Sequence, residues 1–232
     1  ISLPDKDIQD KTVEVLSLID RKIDENCKIN DNLEQQLTTL YDYWFTQFDF
    51  PNENGKPYQS SGGKMIMNNC LKKKIPNGWN VESVYSNQLS SIIKPGVDKF
   101  DTKTYFATAD IKGTSLSSGT LIDYENRENR ANMQPNVNSV WFAKMKDSIK
   151  HLYLNEEMLP IISSSILSTG FCGLQCSDVS FEYIASYISN VYFETHKDML
   201  AHGATQEAVN NDDLTGIHIV IPDDKTLQNY HR

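Results

Sequence analysis

Residues 5–48 read DKDIQDKTVEVLSLIDRKIDENCKINDNLEQQLTTLYDYWFTQF, and their spacing decides the fold. No Gly or Pro interrupts the run before Pro51. Pro4 stands where a missing N–H costs nothing at a helix start, and Asp5 and Asp7 suit a first turn, where the helix dipole favours acid. Leu16, Ile19, Ile23, Asn26, Asn30, Leu33, Leu37, Leu40 and Trp44 alternate spacings of three and four. That is a heptad seam sustained over about four repeats, which predicts coiled-coil pairing rather than one face of a globule. A helix of about 44 residues at ~1.5 Å per residue is about 65 Å long. A domain of this size cannot cover it, so it is expected to project and pair with a partner helix, a second copy of itself included. Asn26 and Asn30 interrupt the seam, either because that part is exposed or because they fix the register against the partner helix.

Outward from the helix the pattern changes twice. Residues 51–74 read as a linker, with Pro51, Gly55, Pro57, Ser60, Ser61, Gly62 and Gly63 ahead of Lys72-Lys73-Lys74. From Ile75 short β-prone runs alternate with turn residues, at Trp79–Tyr85, Thr104–Ala107, Thr120–Tyr124, Ser139–Phe142 and Ile161–Ser165. Residues 178–200 read as a helix capped by Asp178 or Ser180, and Ile217–Ile221 as a closing strand before Pro222. The expected class is α+β: a long projecting coiled-coil helix (1–50), the linker (51–74), a mixed α/β domain (75–221) and the start of a second helix (222–232).

The net charge of −9 is unevenly spread. Residues 1–50 hold 11 acids and 5 bases, residues 56–150 hold 8 acids and 14 bases, and residues 151–232 hold 11 acids and 3 bases. A basic middle third inside an acidic chain is what a localised phosphate-facing surface looks like. The four cysteines, Cys27, Cys70, Cys172 and Cys176, lack the second ligand pair that a zinc site needs, so no metal or other cofactor is expected. Unpaired cysteines suit the reducing cytoplasm. No apolar run approaches the ~18–20 residues of a membrane span. Glycine-rich cofactor and phosphate loops are missing, as are a Gly-x-Ser-x-Gly elbow and a convincing nuclease carboxylate pair. The chain is therefore expected to carry no catalytic residues. Its opening at Ile1, with no initiator Met, reads as an excised fragment.

The two ends repeat each other. Ile1-Ser2-Leu3-Pro4-Asp5-Lys6-Asp7-Ile8-Gln9 and Ile219-Val220-Ile221-Pro222-Asp223-Asp224-Lys225-Thr226-Leu227-Gln228 are each strand, Pro, Asp and a polar turn into Gln, with one residue inserted in the second. The expected parent is globule–helix–globule–helix, an arrangement suited to a split DNA site.

Several motifs carry a family resemblance. They are Leu3-Pro4 with Gln9, running to Leu40-Tyr41 and Trp44-Phe45; Phe48-Asp49-Phe50-Pro51 with Asn54-Gly55-Lys56-Pro57-Tyr58 and Ile75-Pro76-Asn77-Gly78-Trp79; Arg130-Ala131-Asn132-Met133-Gln134-Pro135 with Asn138-Ser139-Val140-Trp141-Phe142-Ala143; and Gly203-Ala204-Thr205-Gln206 through Asn210, Asp213-Leu214 and Ile219–Pro222. In this order they resemble the specificity subunit of type I restriction–modification enzymes. The resemblance implies a spacer helix joined to one target-recognition domain that reads half of a split double-stranded DNA sequence. It also implies docking of methylation subunits and, through them, restriction subunits. Ala204 departs from the Ser often found there, which puts a hydroxyl contact at that position in doubt. A recognition module of a single-chain restriction–methylation enzyme, and a coiled-coil adaptor that binds only proteins, remain as alternatives.

Base edges are read by Arg, Lys, Asn and Gln with help from Ser and Thr, and phosphates are held by Lys and Arg. The basic third supplies Lys112, Thr114, Ser115, Arg127, Arg130, Asn132 and Gln134. Arg127 and Arg130 are the only arginines between Arg21 and Arg232; Arg127 has the competing reading of an ion pair with Glu125 or Glu128. Thr205 and Gln206, after Gly203, are either a second reading loop or a helix cap with a structural Gln.

Overall fold

The computed structural model describes residues 3–231. Ile1 and Ser2 of the first junction, and Arg232, lie outside the described residues. Helix α1 spans Lys6–Tyr41 and continues into a π-helical turn, Asp42–Thr46. Its residues up to Leu40 are exposed, the seam leucines and isoleucines at 42–56%, so the helix projects. The helical run ends at Thr46, two residues before the sequence-based end, because Phe48 takes a left-handed φ of 60°. Trp44 leaves the seam. The π turn inserts an extra residue and sets Trp44 against Tyr230 at 5.5 Å, while Phe45 meets Tyr183 at 4.5 Å and Tyr230 at 4.9 Å.

The stretch expected as a linker is folded. Phe50 stacks between Tyr58 (4.7 Å) and Trp79 (4.8 Å), and Asp49 accepts from the Ser60 N–H. A hairpin follows, β1 (Met65–Asn68) with β2 (Lys73–Pro76), turning at Lys72. Each ring buries a large apolar area, which a free linker has no means of doing.

Strands β3 (Asn80–Ser83), β4 (Ser90–Ile92), β5 (Lys103–Phe106), β6 (Ile111–Lys112), β7 (Ser115–Leu116), β8 (Thr120–Ile122), β9 (Ala131–Met133), β10 (Ser139–Ala143) and β11 (His151–Leu154) come next. Helix α2 (Leu159–Ser164), strands β12 (Ser165–Ser168) and β13 (Phe171–Cys176), helices α3 (Phe181–Ser189) and α4 (Val191–Leu200), strand β14 (His218–Ile221) and helix α5 (Asp224–His231) complete the chain. One antiparallel sheet has the order β11-β10-β13-β4, and a mixed sheet the order β8-β5-β12-β9 with β5 and β12 parallel. Strand β14 pairs with β3, and β6 with β7.

Every residue of β10 is buried. Val140 and Phe142 face the larger core beneath α3 and α4, and Trp141 and Ala143 face the second sheet. Gly173 lies under the Trp141 ring, where a Cβ would come within 2.6 Å of it. Ile161–Ser165, expected as a strand, is mostly helical: Pro160 opens α2, and the strand begins only at Ser165. The expected helix 178–200 breaks at Asn190, whose side chain accepts from the Tyr192 N–H and so starts α4 afresh.

Both helix starts follow a Pro-Asp pair, although Asp5 makes no side-chain cap bond. Lys6 follows Pro4-Asp5, and Asp224 follows Pro222-Asp223. Asp223 accepts from the Thr226 N–H (2.9 Å), the Thr226 hydroxyl (2.8 Å) and the Trp79 indole (2.9 Å). Burial pushes its pKa up, but these donors outweigh burial and hold it below the usual range.

Candidate nucleic-acid interface

Six loop segments are hydrogen-bonded into one surface at an end of the sheets. The Lys144 N–H donates to the Gly170 carbonyl (3.0 Å), and the Thr169 N–H to the Arg130 carbonyl (2.9 Å). The Val209 and Lys146 N–H groups donate to the Lys144 and Glu207 carbonyls, which ties the β10–β11 turn to the 202–208 turn. The Lys150 ammonium donates to the Thr108 carbonyl, and the His151 N–H to the Gly113 carbonyl at 3.0 Å. Glycine makes two of the approaches possible. A Cβ on Gly170 would lie 2.9 Å from Thr108 and 3.4 Å from the Arg130 guanidinium, and one on Gly203 (φ +137°) 2.4 Å from the Gln206 carbonyl oxygen.

A charge network holds the β10–β11 turn from beneath. Lys197 of α4 is fully buried and donates to the Ala143 and Ser148 carbonyls. Its ammonium is 2.6 Å from Glu194, and the other Glu194 oxygen is 2.8 Å from His151 Nε2. Burial pushes the Glu194 pKa up, but His151 and Lys197 overcome that and hold it below its ordinary value. The network therefore fixes the backbone from which Lys144, Lys146 and Lys150 project. Lys146 pairs with Glu207 at 2.6 Å.

The expected contact residues divide. Arg130, Thr205 and Gln206 are exposed, and their side chains make no hydrogen bond or ion pair among the described residues. Asn132 is half-buried on edge strand β9, and its carbonyl accepts from Gly96. Lys112, Thr114 and Ser115 are exposed on the β6–β7 hairpin; Lys112 and Thr114 also border a groove of about 600 Å³ between that hairpin, α1 (Glu34, Leu37) and α3. Two residues are committed inward. Gln134 donates to the Pro135 (2.9 Å) and Ile162 (3.3 Å) carbonyls and accepts from Lys103 (2.9 Å). Arg127 lies over the Tyr124 ring at 4.0 Å and donates to its carbonyl, while Glu125 pairs with Lys99. The sequence reading missed Lys144, Lys146 and Lys150, although their spacing around a turn just after a β-prone run was a usable signal.

Among the described residues no group of three or more His, Cys, Asp or Glu is placed to hold a metal. Burial pushes the Cys172 and Cys176 thiols up to about 12, so they stay protonated. No described helix is long and apolar enough to cross a membrane.

No protein-family model matches the sequence. The chain is 25% identical over its whole length to the "Type I restriction enzyme MjaIX specificity subunit" of Methanocaldococcus jannaschii, spanning 52% of that protein. A 49-residue stretch, 21% of the chain, is 39% identical to the HindI specificity subunit of Haemophilus influenzae and covers 11% of it. The chain thus spans about half the length of the first of these relatives, and a far smaller part of the second. Among solved structures, a type I R-M system assembly matches with a TM-score of 0.52 at 18% identity, over 65% of this chain and 39% of that one. The HsdS subunit of Thermoanaerobacter tengcongensis matches with 0.50 at 17% identity, over the same shares. In sequence over its whole length, and in fold over 65% of it, this chain resembles the specificity subunits of type I restriction enzymes.

Proposed function

We propose that this chain reads one half of a split double-stranded DNA site for a type I restriction–modification complex in the cytoplasm, and is itself non-catalytic. The 75–221 domain is the reader. Helix α1 is the spacer, and methylation subunits, with restriction subunits through them, dock along it. The observation that carries the reading is the joined loop surface, where Arg130, Thr205 and Gln206 stand exposed and unpartnered beside the lysines of the β10–β11 turn. Flexible donors on a rigid base are what base-edge recognition requires. Arg130, Asn132, Thr205 and Gln206 face bases, and Lys112, Thr114, Ser115 and Lys144 hold phosphates. Arg127 and Gln134 shape the loops.

The test is duplex binding as a function of salt, followed by assembly with methylation subunits and mapping of the adenines they protect. Affinity is expected to fall steeply, with a log–log slope of about −0.9 per phosphate contacted. No salt-dependent duplex binding, together with no modified split site, would reject this reading in favour of a protein-only adaptor.

A further inference from the structure

The groove of about 600 Å³ between α1, α3 and the β6–β7 hairpin holds a polar group that nothing else in the fold uses. Strand β11 lines it with His151 and Tyr153, which alternate with Leu152 and Leu154 and so face away from the second sheet. Helix α3 sets Phe181, Ala185 and Ser189 along one wall at steps of four, and the small side chains at 185 and 189 leave the space open. Leu37 of α1 and Ile149 of the β10–β11 turn add apolar surface. A concave site of this size, apolar with a few polar groups, suits a small molecule.

The unused group is one ring nitrogen of His151. The residue is only 5% exposed, and its Nε2 is 2.8 Å from Glu194. Lys197 lies 2.6 Å from the other Glu194 oxygen, which keeps the carboxyl ionised, and a carboxylate only accepts. Nε2 therefore carries the ring proton. In the neutral ring Nδ1 is then a bare acceptor, and it makes no hydrogen bond among the described residues. A nearly buried acceptor without a donor costs free energy that the N–H or O–H of a ligand recovers.

The charges around the groove select among donors. Glu34 of α1 borders it and makes no ion pair among the described residues, and Glu182 borders it from α3, 2.8 Å from His231. Lys112 of the β6–β7 hairpin is the cation at the edge. Burial pushes the Tyr153 hydroxyl pKa up, and the field of Glu34 adds to that rise, so this carboxylate is felt inside the groove. Aromatic rings such as those of Tyr153 and Phe181 also attract cations. An anion would meet Glu34, and an apolar ligand with no donor would leave Nδ1 unbonded.

We propose that this groove binds a small organic ammonium whose N–H donates to His151 Nδ1, whose charge lies in the field of Glu34, and whose apolar body packs against Leu37, Phe181 and Ala185. Such binding is independent of the DNA-reading role.

The deciding experiment titrates the whole chain with three probes of one skeleton: phenethylammonium, phenethyl alcohol and phenylpropionate. Binding is read by calorimetry and by nitrogen NMR of the histidine rings. The expected order is ammonium, then alcohol, then carboxylate, with about three- to fivefold between the first two. The His151 Nδ1 signal is expected to start as an unprotonated nitrogen and to move as the ammonium fills the site, while Nε2 stays protonated. Ser189→Leu lies on the exposed end of α3, fills the groove without touching the buried network, and should abolish binding. Glu34→Gln, on the exposed helix, should weaken the ammonium by about three- to fivefold and leave the alcohol unchanged. No saturable binding, equal binding of the three probes, tightest binding of the carboxylate, an Nδ1 that carries the proton, or undiminished binding by Ser189→Leu would overturn the proposal.

Discussion

Helix α1 and the domain that follows it contain similar apolar residues and put them to opposite uses. Leu33 on α1 is 56% exposed, whereas Leu174 on β13 is 1% exposed. The domain buries its leucines against its own sheets and helices, so their worth appears in the stability of one chain. The helix leaves its leucines exposed, so they add little to the stability of the single chain. Burial is therefore not a property of the residue type, and the same substitution in the two regions should differ in its effect on folding.

The largest effect is expected where the domain is most tightly packed. Trp141→Ala should cost about 3–5 kcal/mol in denaturant unfolding followed by near-ultraviolet signal. Glu194→Ala should cost a similar ~3–5 kcal/mol, because it leaves the Lys197 ammonium buried without its partner. Its pH dependence sharpens this. The folded pKa of Glu194 is lowered, so its stabilisation is present above the ordinary carboxylate range and is lost as pH falls through the depressed value. Melting scans from neutral to acidic pH should show that loss in the native protein and not in Glu194→Ala.

Arg130→Ala touches neither core nor seam. It should leave unfolding unchanged and weaken duplex binding by about 1–3 kcal/mol, while Gln134→Ala should do the reverse. Asp223→Ala removes the cap that binds α5 to Trp79 and should cost about 1 kcal/mol, seen as loss of protection in α5 amide exchange. The smallest expected change is Leu33→Ala, within about 0.5 kcal/mol in domain unfolding. A large change there would mean that the helix is folded into the domain, and the contrast between the two regions would collapse.

Much of this was legible in the chain. Uninterrupted helix formers and a three-four spacing are local signals, and they announce α1. Alternation and turn residues likewise announce β3, β5, β8, β10 and β14. The Pro-Asp junction announces both helix starts. Strands β11 and β13 went unread because their residues are buried on both sides or irregularly, and so show no alternation. The parallel pairing of β5 with β12, more than fifty residues apart, has no local signature.

The sites follow the same division. The sequence by itself determined that the middle third is basic, that Arg130 and the 205–206 pair are polar candidates, and that α1 carries an apolar seam, because composition and periodicity are properties of neighbouring residues. Only the tertiary structure decided that Gln134 and Arg127 are spent on their own loops, that Trp44 packs half-buried against the core, and that Lys197, His151 and Glu194 meet beneath the β10–β11 turn. Those outcomes depend on which groups, distant in sequence, take up each donor and each apolar face, and that competition is settled only when the chain packs.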